Sequence, residues 1–386
     1  MFKKELAQLE HRHLLRKPRV IDSYDGPWVT IAGRSLLLMC SNDYLGLANH
    51  PSLVQAASAA MKLYGFGAGA SRLVSGTSAL HQELEDRIAQ FKGTESAILF
   101  NSGYAANTGI IPALAGDGDI ILSDGLNHAS IIDGCRLSRA LVAVYRHRDM
   151  SHLEDLLKKN GAAGRRLIVT DGVFSMDGDV APLPDLVLLS EKYDALLMVD
   201  DAHATGVMGK TGRGTAEHFG FTGRVHIQMG TLGKALGSFG AFAAGNRDII
   251  DILMNRARSL VYSTALPPAV CSASIAALAE IEREPERRER LWKNRERFAA
   301  GLRSIGISIG NSDTPIIPLI IGDSAMTLQA GKRLFDDGVY AAAIRPPTVA
   351  ENTSRIRMTL LATHSDDDID SVIDVLGAMK REGFFP

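Results

Sequence analysis

Apolar residues in the middle of the chain come in short runs, and those runs predict strands. AILF (97–100), DIIL (119–122), LVAVY (141–145), RLIVT (166–170), ALLMV (195–199) and HIQM (226–229) carry too few polar positions for half-solvated strands. Each reads as a buried strand. Between them the hydrophobic period lengthens to that of helices. The stretch 151–160 is one such helix: Ser151 has Glu154 three residues on, a capping box, and Gly161 ends it. Strands alternating with helices predict an α/β fold with a doubly wound, mainly parallel sheet. Ligands of such sheets sit beyond the carboxyl ends of the strands.

The pattern changes near residue 268. Pro267-Pro268 opens a long helical region, rich in Glu and Arg, that runs to about Ser304. There follow the apolar run IIPLII (316–321), a helix from about Ala325, a strand over about 355–361, and a last helix after Ser365 with Asp368 in the capping-box position. These elements predict a smaller α+β C-terminal domain. The expected division is an N-terminal segment (1–45), a large ligand-binding domain (46–280) and a small domain (281–386).

Composition narrows the class. The chain has 386 residues, 46% hydrophobic and 22% charged, as globular proteins do. Its formal net charge of −2 gives no general attraction to nucleic acid or to a membrane surface. No apolar run approaches the ~20 residues that span a bilayer. The N-terminal MFKKELAQLEHRHLLRK is charged and amphipathic and lacks the apolar core of a signal peptide, so a cytoplasmic protein is expected. Cys40, Cys135 and Cys271 are odd in number and far apart. They predict buried, inert thiols rather than a disulfide framework or a zinc site, and no metal is expected.

Two glycine motifs suggest nucleotide binding and fail on context. Gly65-Phe-Gly67-Ala-Gly69 follows a helical pattern, whereas a dinucleotide loop follows a strand and opens a helix. Gly209-Lys210-Thr211 has Ala204 where a P-loop needs Gly, and Gly212 and Gly214 interrupt the helix that should receive the phosphate.

The stronger signal lies at strand ends. ALLMV runs into Asp200-Asp201-Ala-His203, and HIQMG runs into Thr231-Leu-Gly233-Lys234-Ala-Leu-Gly237. Taken singly, the acids could cap a helix, the histidine could be a core residue and the lysine could be solvated. Together they supply what pyridoxal phosphate requires: an amine for the Schiff base and a carboxylate to keep the ring nitrogen protonated. Strand alternation lets only one of Asp200 and Asp201 face the cofactor.

At this point the chain resembles the α-oxoamine synthases, fold-type I pyridoxal-phosphate enzymes. The motifs that carry the resemblance are Ser41-Asn42-Asp43-Tyr44-Leu45-Gly46, DDAHATG (200–206), TLGKALG (231–237), Arg355-Ile-Arg357-Met-Thr359 and Thr363-His364. The resemblance implies that Lys234 is the Schiff-base lysine, Asp200 the partner of the ring nitrogen, His203 a hydrogen-bond partner of the ring hydroxyl, and His128 the histidine stacked on the ring. It implies a phosphate cradle in Asn101-Ser-Gly103-Tyr104-Ala-Ala-Asn107, a hydroxyl from Thr231, Ser175 beside the ring, and Thr264 reaching the phosphate from a neighbouring subunit of a homodimer. Arg355 and Arg357 share one side of their strand, and the resemblance chooses Arg357 as the grip on the amino-acid carboxylate, with Asn42 and His128 as further substrate contacts.

Members of this family join an amino acid to an acyl thioester with loss of CO2. The segment Ala343-Ile344-Arg345-Pro346-Pro347-Thr348-Val349 is similar to that of the member acting on L-alanine and a pimeloyl thioester, on coenzyme A or on acyl carrier protein, in biotin biosynthesis. The neighbouring possibility is glycine with acetyl-CoA. Arg16 resembles an acyl-substrate contact, with Arg12, Lys17 and Arg19 as competitors, and Thr348 resembles another.

Overall fold

The computed structural model describes residues 2–385. These form two compact units: one comprises Leu47–Phe174 and Val180–Pro285, the other the chain up to Gly46, Ser175–Asp179 and the chain from Glu286.

The first unit is built on a seven-stranded sheet. Its order is Ser96–Phe100, Ala241–Gly245, Ile227–Thr231, Leu196–Asp200, Arg166–Asp171, Ile120–Asp124 and Leu141–Tyr145. Ala241–Gly245 runs antiparallel to both neighbours, and the pairs beyond it are parallel. Ser96–Phe100 therefore points the same way as the other five, so six strands end at one edge. Alternation along each strand feeds two apolar layers. Ile121, Leu167 and Met198 join one cluster with Ile110 and Leu253, while Ile120, Ile168 and Leu197 join another with Leu153 and Leu186. Both faces are covered, which is why the strands read as unbroken apolar runs.

The second unit holds two small sheets. Ile316–Gly322, Ser354–Thr359 and Ala342–Ile344 form an antiparallel three-stranded sheet with Ser354–Thr359 in the centre. Ser23–Asp25, Trp28–Ile31 and Arg34–Leu38 form a meander, and Val339–Tyr340 pairs in parallel with Arg34–Leu38. That parallel pair fastens the N-terminal part of the chain to the C-terminal part.

Several expectations are corrected. The helix Met150–Lys159 is capped by Asp149, whose carboxylate accepts the His152 N–H at 2.8 Å; Ser151 does not cap it, and Glu154 instead accepts from Lys192 and Tyr193. Leu141–Tyr145 is a strand but not a buried one: it is the sheet edge, with Leu141 60% and Val144 59% exposed. The helical region after Pro268 is two helices, Pro268–Arg283 and Pro285–Ser304, because Pro285 drives Glu284 out of helical geometry (φ −119°, ψ 63°). Ala241–Gly245 and the N-terminal meander were not foreseen. Cys135 and Cys271 are buried as expected but Cys40 is only half-buried, and all three are free. Burial pushes their thiols up to about 11, 12 and 11 for Cys135, Cys271 and Cys40, far from the reactive thiolate range. The capping box of Ser365 and Asp368 is present as read. No helix of the described residues is long and apolar enough to cross a membrane.

Candidate active site

In the sheet unit, four strands deliver their site residues just past their carboxyl ends. Ser96–Phe100 leads through Asn101 and Ser102 into the helix Gly103–Leu114. Ser102 caps that helix by accepting the Ala105 N–H at 3.1 Å, which leaves the Gly103 and Tyr104 amides as first-turn donors without an intrahelical partner. Tyr104 is exposed, and its hydroxyl donates to Asp133. Ile120–Asp124 leads to His128, which caps the helix Ala129–Leu137.

Leu196–Asp200 ends in the two acids, and the pleat sends them to opposite sides. Asp200 accepts the Asn107 amide N–H at 2.8 Å and the Ala202 N–H at 2.9 Å. Asp201 accepts the Lys92 ammonium at 3.1 Å and both the hydroxyl (2.7 Å) and N–H (3.1 Å) of Thr215. The two acids differ in their contacts: Asp201 is sealed into a buried ion pair, and Asp200 is met by neutral donors. Burial pushes the Asp200 carboxyl above its usual range, opposed by the Asn107 bond and the Lys234 charge.

Ile227–Thr231 leads to Lys234, whose Nζ lies 2.8 Å from Nε2 of the buried His203. The lysine turn is tight. Gly237 N–H donates to the Lys234 carbonyl at 2.8 Å, and Gly237 has φ +60° with its open side against the backbone of Leu47 and Ala48. A side chain at that position would collide with this backbone and displace the lysine. Thr231 donates its hydroxyl to the Gly240 carbonyl at 2.9 Å and accepts from Gly233 N–H. Thr264, exposed, gives its carbonyl to the Asn101 side chain at 2.8 Å and bridges to Ser71.

Three residues in this unit take positioning roles that the sequence does not assign them. Asn107 joins Asp200 to Ser130. Asp171 accepts the His128 backbone N–H at 2.6 Å and fixes the histidine's turn; burial, then the Asp200 charge, holds its carboxyl well above the ordinary range. Lys92 closes off Asp201. Asp171 had a legible signal, since it ends an apolar run as Asp200 does.

Pyridoxal phosphate fits these residues. A desolvated carboxylate whose contacts are uncharged N–H groups has a use for a cationic ring nitrogen. An amine sits beside a buried histidine, and the helix start at Gly103 offers amides to a phosphate. The two nucleotide decoys do not fit. Gly65 ends the helix Pro51–Tyr64, with no strand before it. The loop N–H groups of Thr211 and Arg213 both donate to Glu217 of the same chain, so that loop is filled by its own carboxylate.

The other unit carries the remaining candidates. Arg357 Nε donates to the Ser175 carbonyl at 2.6 Å and Nη2 to Asn42 Oδ1 at 3.2 Å, which brings three predicted residues together. Arg355 is engaged otherwise, paired with Asp177 at 2.6 Å. Arg16 Nη2 meets the Pro346 carbonyl at 3.1 Å and Thr348 Oγ1 at 3.4 Å. Of its competitors, Arg12 pairs with Glu351 and lines a cavity together with Pro346, and Arg19 lies over the Phe335 ring.

Comparison with known proteins agrees with this geometry. Residues 34–376 match the family described as aminotransferase class I and II. A protein of Geobacter sulfurreducens called 8-amino-7-oxononanoate synthase is 52% identical over 381 residues, covering 98% of this chain and 97% of its own. A serine palmitoyltransferase from S. paucimobilis, solved with bound PLP, superposes with a TM-score of 0.94 at 30% identity, covering 99% of this chain and 97% of that one. The 8-amino-7-oxononanoate synthase of Francisella tularensis gives 0.79 at 28% identity, covering 91% and 99%. The chain belongs to the aminotransferase class I and II family, with the fold of the fold-type I pyridoxal-phosphate transferases.

Proposed function

We infer that this chain carries out the 8-amino-7-oxononanoate synthase reaction, joining L-alanine to a pimeloyl thioester with loss of CO2 and release of the thiol, in biotin biosynthesis. The observation that carries the reading is the 52% identity, over nearly the full length of both chains, to a protein of that name.

Pyridoxal phosphate, when bound, supplies an electron sink for a carbanion at the alanine Cα. Lys234 would hold the cofactor through its amine, and the same amine would be the base for the alanine Cα proton. His203, 2.8 Å from that amine, can hold the proton near the reacting carbon. Asp200 would keep the cofactor's ring nitrogen protonated by its negative charge, and the cationic ring would then accept electron density from Cα more readily. The amides of Gly103 and Tyr104, with the hydroxyls of Thr231 and Thr264, are assigned to the phosphate, and His128 to the ring face. Ser175 is assigned to the cofactor as well. Arg357, held by the Ser175 carbonyl and Asn42 and in hydrogen-bond reach of the buried Tyr44 hydroxyl, is assigned to the alanine carboxylate. Arg16 and Thr348 are assigned to the acyl substrate. A carbon–carbon bond forms between Cα and the thioester carbonyl carbon as the carbon–sulfur bond breaks; the former carboxylate then leaves as CO2, and a proton returns to Cα.

We place two such chains in a homodimer, with Thr264 serving the partner's phosphate. Leu63, Phe66, Val74 and Tyr262 are each more than 70% exposed, large apolar side chains that a second copy would cover. The three unpaired thiols accord with a cytoplasmic setting.

Purified protein is offered alanine with pimeloyl-CoA, and separately glycine with acetyl-CoA. Turnover of the first pair and not the second is expected. Turnover of the second alone overturns the substrate assignment while leaving the family in place.

A further inference from the structure

A chain of four hydrogen-bonding groups joins Asp200 to His128 inside the sheet unit. The Asn107 amide nitrogen is 2.8 Å from Asp200 Oδ2 and 2.9 Å from Ser130 Oγ. Ser130 Oγ is 2.7 Å from His128 Nδ1, and the Ser130 backbone N–H also points at Nδ1, at 3.3 Å. Asn107 and Ser130 are buried, so their hydrogens must go to one another or to these partners.

Asp200 fixes the Asn107 amide, and the Ser130 backbone N–H aimed at Nδ1, with a buried Ser130 hydroxyl that needs an acceptor, fixes the rest. Asp200 already takes the Ala202 N–H on Oδ1, and its Oδ2, as a carboxylate, only accepts. Asn107 must therefore turn its NH2 toward it. The second hydrogen of that NH2 goes to Ser130 Oγ. Ser130, having accepted, has its own hydrogen free for His128 Nδ1. Two donors then converge on Nδ1, and the ring proton must sit on Nε2. The surrounding charges do not upset this order: Asp200 favours a charged His128 and Lys234 opposes it, while partial desolvation lowers its basicity most. Asp171 touches only the backbone N–H of His128.

We propose that Asn107 and Ser130 are positioning residues which transmit the ionised state of Asp200 to His128, locking it as the neutral Nε2–H tautomer. His128 thus presents a hydrogen-bond donor, not an acceptor, on the side away from Ser130. The acid that serves the cofactor's ring nitrogen and the donor on the ring-stacking histidine are set by one device. This meaning for catalysis rests on the function proposed above; the tautomer itself rests on the contacts alone.

Ring-15N-histidine holoenzyme decides the matter by NMR, with His128→Gln identifying the signal. The wild type should show Nδ1 unprotonated and Nε2 protonated near neutral pH. Ser130→Ala should shift both nitrogens toward a tautomer average, and Ser130→Thr, which keeps the hydroxyl, should restore the wild-type pattern. Asp200→Asn should invert the chain. Asn at 200 keeps its oxygen on Ala202 N–H and offers NH2 to Asn107, which flips, accepts from Ser130, and leaves Ser130 to accept from a protonated Nδ1. A wild-type His128 protonated at Nδ1 overturns the proposal, as does a wild-type pattern that persists in both Ser130→Ala and Asp200→Asn. Turnover with alanine and pimeloyl-CoA is read separately and bears only on the reaction.

Discussion

Asp200 and Asp201 are adjacent in the chain and both buried, yet the regions around them are built on opposite plans. On the Asp201 side the charge is neutralised within the protein: Lys92 pairs with it, Thr215 donates twice, and both side chains of the pair are at most 1% exposed. On the Asp200 side only neutral N–H groups touch the carboxylate, and a network leads outward from it to His128. A buried charge with its own counter-ion is a structural part. A buried charge met by neutral donors is prepared for a cation that arrives from outside.

The contrast can be broken at either acid. Lys234→Ala should remove the visible absorbance of the lysine-linked cofactor and lower turnover by at least about 10³-fold, since both anchor and base are lost; activity within tenfold of wild type would remove Lys234 from both roles. Asp201→Ala leaves Lys92 buried and uncompensated and should cost about 3–5 kcal/mol of stability by denaturant unfolding. Asp200→Asn should do the reverse. Its turnover should fall about 10²-fold, with stability within about 1 kcal/mol of wild type, because the neutral amide suits neutral neighbours. Equal loss of stability in the two variants would end the distinction drawn here. Arg357→Lys keeps the charge but loses the planar fork, and should raise the KM for alanine about tenfold. Thr348→Ala, at an exposed contact of Arg16, should change the KM for the acyl thioester by only a few-fold.

Much of this was legible in the sequence, because the sheet is buried on both faces and its strands stand out as apolar runs. The strands that escaped lacked that contrast. Ala241–Gly245 is AFAAG, with no β-branched residue, and is held by its two neighbours rather than by its own propensity. The N-terminal hairpin turns at Ala32-Gly33 with both residues at positive φ, a turn that Asn-Gly would have announced and Ala-Gly hides. In the candidate site, Asp200, His203 and Lys234 stood out because they follow apolar runs, whereas His128 entered only through the family resemblance. The roles of Asn107 and Ser130 did not stand out, because each lies inside a helical stretch and the bonds from Asn107 to Asp200 and to Ser130 join distant parts of the chain. The wrong cap at Ser151 has a similar cause, since Asp149 competes for the same helix start and wins through its bonds to His152 and Arg146.

The common edge of the sheet also has a temporal side. The groups assigned to the cofactor in the sheet unit sit on four strand ends, from Gly103 to Lys234, and no local segment contains more than a fraction of them. They meet only after parallel strands with long intervening crossovers have paired, and such non-local pairing is the slow part of folding. The cofactor therefore recognises a finished sheet and none of its precursors, and its binding free energy is added entirely to the native state. During refolding, helical signal should return early and the lysine-linked absorbance last. That colour then counts completed molecules rather than merely collapsed ones.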